Sequence, residues 1–342
     1  DARTLLQSVA QAAGVTLAAD ASWLAPAPTP PAGRVPRSDA YEATEKLVTT
    51  LLDLPGVPGH EWRVRNAIRA SLPKWAADRA VVDSAGNLIV AVGPDKDSVA
   101  FVAHTDEVSF EVDSILPDGH VTLTRKGGVI PSAWEGQPAM LVFDPDASGN
   151  TNEALRGVFV PRETARSKAP PRLLAWFGLD AAGLTARGVK TGAAVLGLKR
   201  AARLAGTRVT GRSSDDRTGS TALVLAARKI DPTTLNHKVI LVWTTGEEGG
   251  LLGARAFAAR SGAGLRRVYA IDTFVSSDTP LEQPTFAYAP LGKGAVLRGL
   301  DDGSIAPRAE RDRVMRIAKA NNIPLQVGTT HGSTDGSAVG AY

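Results

Sequence analysis

The sequence predicts an α/β fold in which a mainly parallel sheet is flanked by helices and carries a small inserted β-rich domain. After about residue 210, apolar runs of strand length alternate with helical patterns, as where HKVILVWTT is followed by LLGARAFAARS. Such alternation is typical of a parallel sheet that helices cover on both faces. From about 108 to 200 the chain instead has short alternating segments separated by Gly, Pro and Asp, which indicates a separate β-rich unit.

The segment before residue 108 contains two predicted helices and one predicted buried strand. Helical patterns cover 39–53 and about 61–72. The near-continuous apolar run SVAFVAH at 98–104 is typical of a strand that is buried on both faces. We therefore expect this strand to lie in the interior of the sheet.

The chain divides into three predicted parts. Residues 1–37 combine a helical apolar pattern with the Pro-rich stretch APAPTPPAGRVP, and we interpret them as an N-terminal extension and linker. A discontinuous α/β domain follows at 38–107 and 201–342, and 108–200 is the inserted β-rich domain. The chain begins with Asp1 rather than Met, which is compatible with a removed leader or tag, so these residues leave the compartment unknown.

Composition excludes several classes of protein and of site. The 342 residues include 39 basic and 35 acidic side chains, which gives a formal net charge of +4 at pH 7. Because the basic residues are scattered, nucleic-acid binding is not expected. No apolar run approaches the ~20 residues that a membrane span needs, so no membrane partner is expected either. The absence of cysteine excludes thiolate ligands, and any metal must be bound by carboxylates and by some of the 5 histidines.

Polar side chains with metal-binding chemistry occur at three strand ends and at one helix start. They are His104 and Asp106 in SVAFVAHTD, Asp215 and Asp216 in SSDDRTG, Glu247 and Glu248 after HKVILVWTTG, and Asp272 at the end of RVYAID. Open parallel sheets bind ligands beyond the carboxyl ends of their strands. We therefore expect three of the clusters to converge on one edge of the sheet, with Asp215 joining them from its loop.

The chemistry of this set suits a divalent metal. Zinc accepts imidazole nitrogen and carboxylate oxygen, and crowded carboxylates would repel each other without a cation. In the extended segment around Thr105 the side chains of His104 and Asp106 share a face, so Asp106 could accept the spare ring N–H of His104 and fix its tautomer. The adjacent side chains of Glu247 and Glu248 diverge, so one could bind metal while the other takes a proton from water.

Each cluster also has an ordinary structural explanation when it is considered alone. His104 could be a half-buried structural histidine, and Asp215 with Asp216 could cap a helix. The glutamate pair could be surface charge beside a helix start, and Asp272 could be a turn residue. Four coincidences of ligand chemistry at strand ends or helix starts argue against all of these explanations holding together.

The motifs resemble the tetrahedral and glutamyl aminopeptidases, a family of two-metal metallopeptidases whose members sometimes carry the name endoglucanase. The resemblance runs from about 40 to 342 and rests on the order of PGVPGHE, DSAGNLIV, AHTDEVSFEV, GGVIPSAWEGQPAMLV, SSDDRTG, TTGEEGGLLGA, AIDTF, APLGKGAVLRG and GSTDG. It implies a zinc-peptidase-like fold with the α/β domain as the catalytic domain. The inserted domain would help to assemble homo-oligomers, typically tetrahedral dodecamers. The family favours a cytoplasmic location, while the missing initial Met leaves export open.

The resemblance also implies a role for each candidate residue. The ligands of two divalent metal ions, zinc before cobalt or manganese, would be His104, Asp215, Glu248 and Asp272. Asp215 would bridge the two metals, and Glu248 would bind only the second. The catalytic residues would be Glu247, as the general base, and Asp106, which orients the histidine ligand.

The chain departs from the family pattern at three places. It has GSTDG where relatives usually have GGTDA, and Gly249 where a larger residue usually follows the glutamate pair. The last metal-binding histidine of the family follows this loop, whereas the sequence ends at Tyr342. We therefore expect that histidine on a further strand beyond Tyr342. His331, which precedes the Thr-Asp pair of the loop, is a less favoured substitute.

The leading hypothesis is an aminopeptidase that acts on peptides, in which a metal-bridging hydroxide attacks the first peptide carbonyl and Glu247 transfers the proton. One alternative is a metal-dependent deacylase of amino-acid conjugates, with the same site and another pocket. The other is a non-catalytic scaffold that retains the fold, although a scaffold needs no general base. A glycosidase is not expected, since it uses two carboxylates and no metal pair.

Overall fold

A computed structural model shows how these patterns fold, and it describes residues 41–161, 173–204, 206–275 and 289–340. The predicted N-terminal extension lies outside the described residues. The described chain forms two compact units. The larger unit contains the described residues of 41–273 together with 300–305 and 331–340, and the smaller contains those of 274–299 and 306–330.

The helices, in chain order, are α1 (Glu42–Asp53), α2 (Trp62–Ser71), α3 (Lys74–Ala77), α4 (Ala181–Ala186), α5 (Ser214–Lys229), α6 (Leu252–Ser261), α7 (Arg308–Ala320) and α8 (Asp335–Val339). The first strands are β1 (Val81–Val82), β2 (Leu88–Val92), β3 (Ser98–His104), β4 (Ser109–Ile115), β5 (His120–Lys126), β6 (Pro138–Val142), β7 (Leu155–Val160) and β8 (Leu174–Trp176). The later strands are β9 (Ala194–Gly197), β10 (Ala202–Arg203), β11 (Val209–Thr210), β12 (Val239–Thr244), β13 (Leu265–Ala270), β14 (Ala295–Leu300) and β15 (Leu325–Thr329). The predicted helices at 39–53 and 61–72 and the predicted strand at 98–104 are thus confirmed, with small shifts at the helix ends.

The central sheet of the larger unit has the strand order β1-β2-β12-β3-β13. β3 is parallel to both of its neighbours, β12 and β13, whereas β2 is antiparallel to β1 and to β12. The described strands of this sheet therefore form two parallel and two antiparallel pairs, and the prediction that the sheet is mainly parallel is not confirmed. Short links join β2 to β1 before it and to β3 after it. A short link reverses the chain direction, whereas parallel strands need a longer crossover. β2 therefore runs opposite to β3, and so also opposite to β12, which is parallel to β3.

Helices cover both faces of this sheet. On one face α1, α2 and α5 pack against β2, β3 and β12, in a core that includes Ile68 and the fully buried Trp243. On the other face α6 and α8 pack against β3, β12 and β13, with Phe257 and Val102 in the core. Because β3 and β12 are buried on both faces, they are apolar at nearly every position rather than at alternate ones.

Six strands between β3 and α5 close into an antiparallel barrel in the order β4-β5-β8-β7-β6-β9. Phe110, Trp134 and Phe159 pack against one another in its core, with ring centroids 5.3–5.5 Å apart. The short alternating segments of 108–200 therefore alternate because one face of each strand lines this core. The limits of an independent inserted domain and its part in oligomerisation stay predictions.

The smaller unit contains helix α7 and the two-stranded sheet of β14 and β15. α7 lies within the segment PRAERDRVMRIAKANN and β15 within IPLQVGT, in agreement with the predicted alternation of helices and strands after residue 210. Across the described ranges, the structure has no helix that combines the length and the apolar character needed to cross a membrane.

Candidate metal centre

Three adjacent parallel strands bring the predicted clusters to one edge of the sheet. β3 ends at His104, and its neighbour β12 ends at Thr244, which lies opposite His104 in the register. β13, on the other side of β3, ends two residues before Asp272. The loops that carry the histidine, the glutamate pair and Asp272 therefore begin side by side, although they are far apart in sequence.

His104, Asp215 and Asp272 form a compact group of potential metal ligands. One ligand atom of each lies within 4.8 Å of the other two. His104 Nε2 is 2.9 Å from Asp215 Oδ1 and 3.9 Å from Asp272 Oδ1, and the histidine side chain is only 2% exposed. A buried imidazole nitrogen that faces two carboxylate oxygens matches the donor set of zinc, so these residues fit a divalent cation.

Asp215 and Asp216 have different environments, although they are adjacent at the start of α5. Both have non-helical backbone angles, with φ −82° and ψ 113° at Asp215 and φ −115° and ψ 44° at Asp216. Asp215 faces His104, whereas Asp216 is fully buried and accepts a hydrogen bond from the N–H of Gly219 at 2.9 Å. Burial raises the pKa of Asp216 well above its usual value. Asp215 therefore belongs to the candidate site, and Asp216 holds the helix start.

Asp106 is fully buried between His104 and the glutamate pair. Its Oδ1 lies 3.4 Å from His104 Nδ1, which is longer than an ordinary hydrogen bond. Its two oxygens accept hydrogen bonds from the backbone N–H of Glu247 at 3.0 Å and of Glu248 at 2.9 Å. Asp106 thus contacts the imidazole and also fixes the backbone of both glutamates, which the sequence did not predict.

The glutamate pair lies within electrostatic range of the three-residue group. Burial raises the pKa of Glu247 to about 8, and the charges of Asp335, Asp272 and Glu248 add to the effect while His104 opposes it. Burial likewise raises the pKa of Glu248 to about 7, with further contributions from nearby aspartates. A divalent cation would favour the charged carboxylates and so reverse these shifts.

His104 and Asp215 interact as a charged pair. Burial alone would lower the pKa of His104, but its interactions with the carboxylates of Asp106 and Asp215 raise it well above the usual value. Burial would raise the pKa of Asp215, but the hydrogen bond with His104 outweighs it and the pKa is lowered. Because a metal ligand must be a neutral imidazole, a bound cation would displace the proton that this pair holds.

Asp335, the aspartate of GSTDG, is a residue of the site that sequence reasoning missed. It is 3% exposed and its Oδ2 accepts a hydrogen bond from the hydroxyl of Thr244, at the end of β12. Burial raises its pKa to about 6, and its charge in turn raises the pKa of Glu247. The motif itself was visible, but no local pattern shows that its aspartate is buried beside β12.

A buried ion-pair network adjoins Asp106 and was also missed. Glu107 accepts hydrogen bonds from the guanidinium of Arg212 and, at 3.1 Å, from the N–H of Gly56. The fully buried Arg217 lies 3.6 Å from Glu107 Oε1. The sequence did show one charged residue in each motif, Glu107 in AHTDEV and Arg217 in SSDDRTG. It did not show that the two residues pair, because pairing between distant segments cannot be derived from either segment alone.

The barrel closely approaches Glu248 at the end of β5. Gly127 has φ +89°, and a Cβ built on it would lie 3.0 Å from the Cβ of Glu248 and 3.1 Å from its Oε2. Only glycine adopts this backbone conformation without strain and leaves room for the glutamate. The barrel therefore forms one wall beside Glu248.

His331 does not join the candidate site in the part of the chain that the structure describes. Its Nδ1 lies 3.1 Å from Asp302 Oδ1, and its side chain is 68% exposed. It is not a member of the group around His104. This geometry therefore does not support His331 as a substitute metal ligand. The assignment of the other residues as metal ligands stays a prediction.

Comparisons with known proteins all identify peptidases as the proteins that this chain resembles. The profile of the M42 glutamyl aminopeptidases matches residues 86–341. A putative aminopeptidase of Acetivibrio thermocellus is 26% identical over 291 residues, which cover 82% of this chain and 81% of the relative. The dodecameric PhTET1-12s structure is 30% identical, with a TM-score of 0.75 and 86% of each chain covered. The TET1 peptidase of Pyrococcus horikoshii, which can assemble into a tetrahedron or a large octahedral shell, is 28% identical, with a TM-score of 0.73 over 86% of this chain and 87% of that one.

Proposed function

The chain belongs to the M42 glutamyl aminopeptidase family and is a peptide-bond hydrolase, and from this premise we propose that it is a metal-dependent aminopeptidase that removes N-terminal residues from peptides. The observation that supports the proposal most directly is the convergence of His104, Asp215 and Asp272 within 4.8 Å. The half-buried Glu247 beside this group supplies a carboxylate that the ligand set does not need.

We assign His104, Asp215 and Asp272 to one divalent cation, and Asp215 with Glu248 to a second. Zinc is the proposed metal because the donors are imidazole nitrogen and carboxylate oxygen, with cobalt and manganese as substitutes. When bound, the cations would supply Lewis acidity that polarises the scissile carbonyl and makes the attacking water more acidic.

Glu247 would act as the general base. It would take the proton of the attacking water and pass it to the departing amine. Asp106 would keep the carboxylate in range, since it accepts hydrogen bonds from the backbone N–H groups of Glu247 and Glu248. Glu247 would thus transfer the proton and Asp106 would position Glu247, while bound cations would supply electrostatic stabilisation.

We also propose that the chain assembles into a homo-oligomer. Two similar structures, PhTET1-12s and the Pyrococcus horikoshii TET1 peptidase, are described as a dodecamer and as tetrahedral or octahedral shells. The likeness extends over 86% of this chain in both cases, which is why we extend the expectation of an assembly to this protein.

The test is a panel of leucyl- and glutamyl-anilides with acetyl-amino acids beside them. We expect anilide hydrolysis that EDTA abolishes and that Zn²⁺, Co²⁺ or Mn²⁺ restores. Hydrolysis of the acetyl-amino acids alone would identify the deacylase alternative. A metal-loaded protein without activity on either class would point to the scaffold. Full activity in a metal-free sample would contradict the proposal.

A further inference from the structure

The loop from Thr245 to Glu248 is held by side chains from elsewhere in the larger unit. All four successive backbone N–H groups of this loop donate to such side chains. The pairs are Thr245 N to Asn87 Oδ1 at 3.0 Å, Gly246 N to Glu61 Oε1 at 3.0 Å, Glu247 N to Asp106 Oδ1 at 3.0 Å and Glu248 N to Asp106 Oδ2 at 2.9 Å. We refer to Asn87, Glu61 and Asp106 as the loop cradle.

Carbonyl groups of the same loop are satisfied from the other side. Three of the four carbonyls accept hydrogen bonds, either from the turn before α6 or from the first two residues of that helix. The pairs are Gly253 N to Thr245 O at 2.8 Å, Leu252 N to Gly246 O at 3.0 Å and Gly250 N to Glu247 O at 2.9 Å. The loop cradle and the start of α6 therefore hold this backbone together, and the loop cradle provides the bonds to the N–H groups of both glutamates.

Glu61 makes an unexpected contribution to the loop cradle. It occupies the position before α2 but makes no capping hydrogen bond to its own helix. Its Oε1 instead accepts from Gly59 N at 2.9 Å and from Gly246 N at 3.0 Å, and the residue is 4% exposed. Burying a carboxylate is costly unless it is hydrogen-bonded, so these two bonds account for a glutamate at this position.

The two glycines that donate to Glu61 both have positive φ angles. Gly59 has φ +92° and Gly246 has φ +60°. Residues other than glycine rarely adopt backbone angles in this region. One carboxylate oxygen thus joins the PGVPGHE segment to the residue immediately before Glu247.

We propose that Glu61 is a positioning residue that sets the place of Glu247 and Glu248 by holding the N–H of Gly246. The inference rests on the proposed roles of the two glutamates as base and ligand. A displacement of about 1 Å in a reacting group can cost on the order of 10²-fold in rate. Loss of the Gly246 bond should therefore lower kcat more than it raises KM, whereas a purely structural residue would change thermal stability alone.

Three substitutions of Glu61 separate the acceptor from the charge. Glu61→Gln keeps an oxygen at the same length, Glu61→Asp keeps the charge but retracts the oxygens by about 1.5 Å, and Glu61→Met removes the acceptor at similar volume. We expect near wild-type kcat for Glu61→Gln. We expect kcat to fall on the order of 10²-fold for Glu61→Asp and Glu61→Met, with full zinc content and little change in KM.

Hydrogen–deuterium exchange of the zinc-loaded and metal-free full chain provides a readout besides activity. The Gly246 and Glu247 amides should be protected in the wild type and in Glu61→Gln, and should exchange faster in Glu61→Asp and Glu61→Met. Thr122→Val is the matched control, because it removes a buried acceptor of the Ser114 N–H within the barrel. It should lower thermal stability and leave kcat and the loop amides unchanged.

Wild-type kcat and wild-type amide protection in both Glu61→Asp and Glu61→Met would overturn the inference. So would a loss of activity in Glu61→Gln as large as in Glu61→Met, since the acceptor would then not be what matters. If the wild type hydrolyses no aminoacyl-anilide, the proposed function fails on its own. The exchange of the Gly246 amide still decides in that case whether Glu61 holds the loop.

Discussion

Glu247 and Glu248 are neighbours in the chain, yet the proposed mechanism gives them different tasks. Glu247→Gln should retain both metals but lose activity on the order of 10²–10⁴-fold, because an amide cannot accept the proton of the attacking water. Glu248→Gln is the matched control, and it should lose activity together with metal. Anilide kinetics combined with metal analysis of both variants measures this. Turnover near the wild-type level in Glu247→Gln would remove it from the mechanism.

The raised pKa values of the site predict how the metal-free protein responds to pH. The folded state keeps protons on Glu247, Glu248 and Asp335, at pKa values of about 8, 7 and 6, and on His104, whereas the unfolded state releases them at lower pH. Where the folded state binds more protons, the free energy of unfolding falls as pH rises. In EDTA it should therefore fall between about pH 5 and 8.

Urea unfolding at several pH values, with EDTA and with zinc, measures this dependence. Zinc should remove the decline, because the cation replaces the protons and stabilises the charged carboxylates. The Glu247→Gln variant should show a weaker decline in EDTA, since its amide does not titrate. A metal-free protein that becomes more stable between about pH 5 and 8 would contradict the assigned shifts.

At the scale of elements, the end of β5 should control the position of Glu248. Gly127→Ala would place a Cβ 3.0 Å from the Cβ of Glu248 and would force alanine into φ +89°. Glu248 or the barrel loop must then move, so we expect weaker metal binding and lower kcat. Gly128→Ala is the matched control, because a Cβ there has no neighbour within 4 Å. Zinc titration of both variants measures the difference, and equal affinities would disprove the contact.

The elements that could be predicted from sequence are those whose signal is local. β3 was predicted with its observed bounds because burial on both faces makes every position apolar. The mixed sheet was not predicted, since the antiparallel pairing of β2 with β12 joins residues about 150 positions apart in a pattern that neither segment carries.

For the site, too, the sequence reveals only those residues whose signal is local. His104, Asp215 and Asp272 could be found because their residue types and their places after strands or before a helix follow a general rule. Glu61 and Asp335 could not, because each is distinguished by burial against a distant backbone or hydroxyl group rather than by its neighbours in sequence. Partners of buried polar groups are a property of the folded chain.

At the scale of the whole molecule, the proposed homo-oligomer is directly measurable. Mass photometry of the full chain should give particles of many times 35.7 kDa, with a dodecamer as the leading expectation. The family likeness covers most of the chain, which is why an assembly is expected for this protein as well. A single peak at the mass of one chain would contradict the prediction.

The distribution of the site along the chain has a consequence for biosynthesis. The ribosome releases the chain from its N-terminus, and the barrel strands between Ser109 and Gly197 are contiguous, so they can close early. The ligand group needs His104, Asp215 and Asp272 together, and β3 gains its two parallel neighbours only when β12 and β13 have emerged. A nascent chain shorter than 272 residues therefore lacks part of the proposed metal-binding group. Because the proposed site is complete only when β13 has emerged, we expect ribosome-bound chains that end before Asp272 to lack the proposed peptidase activity.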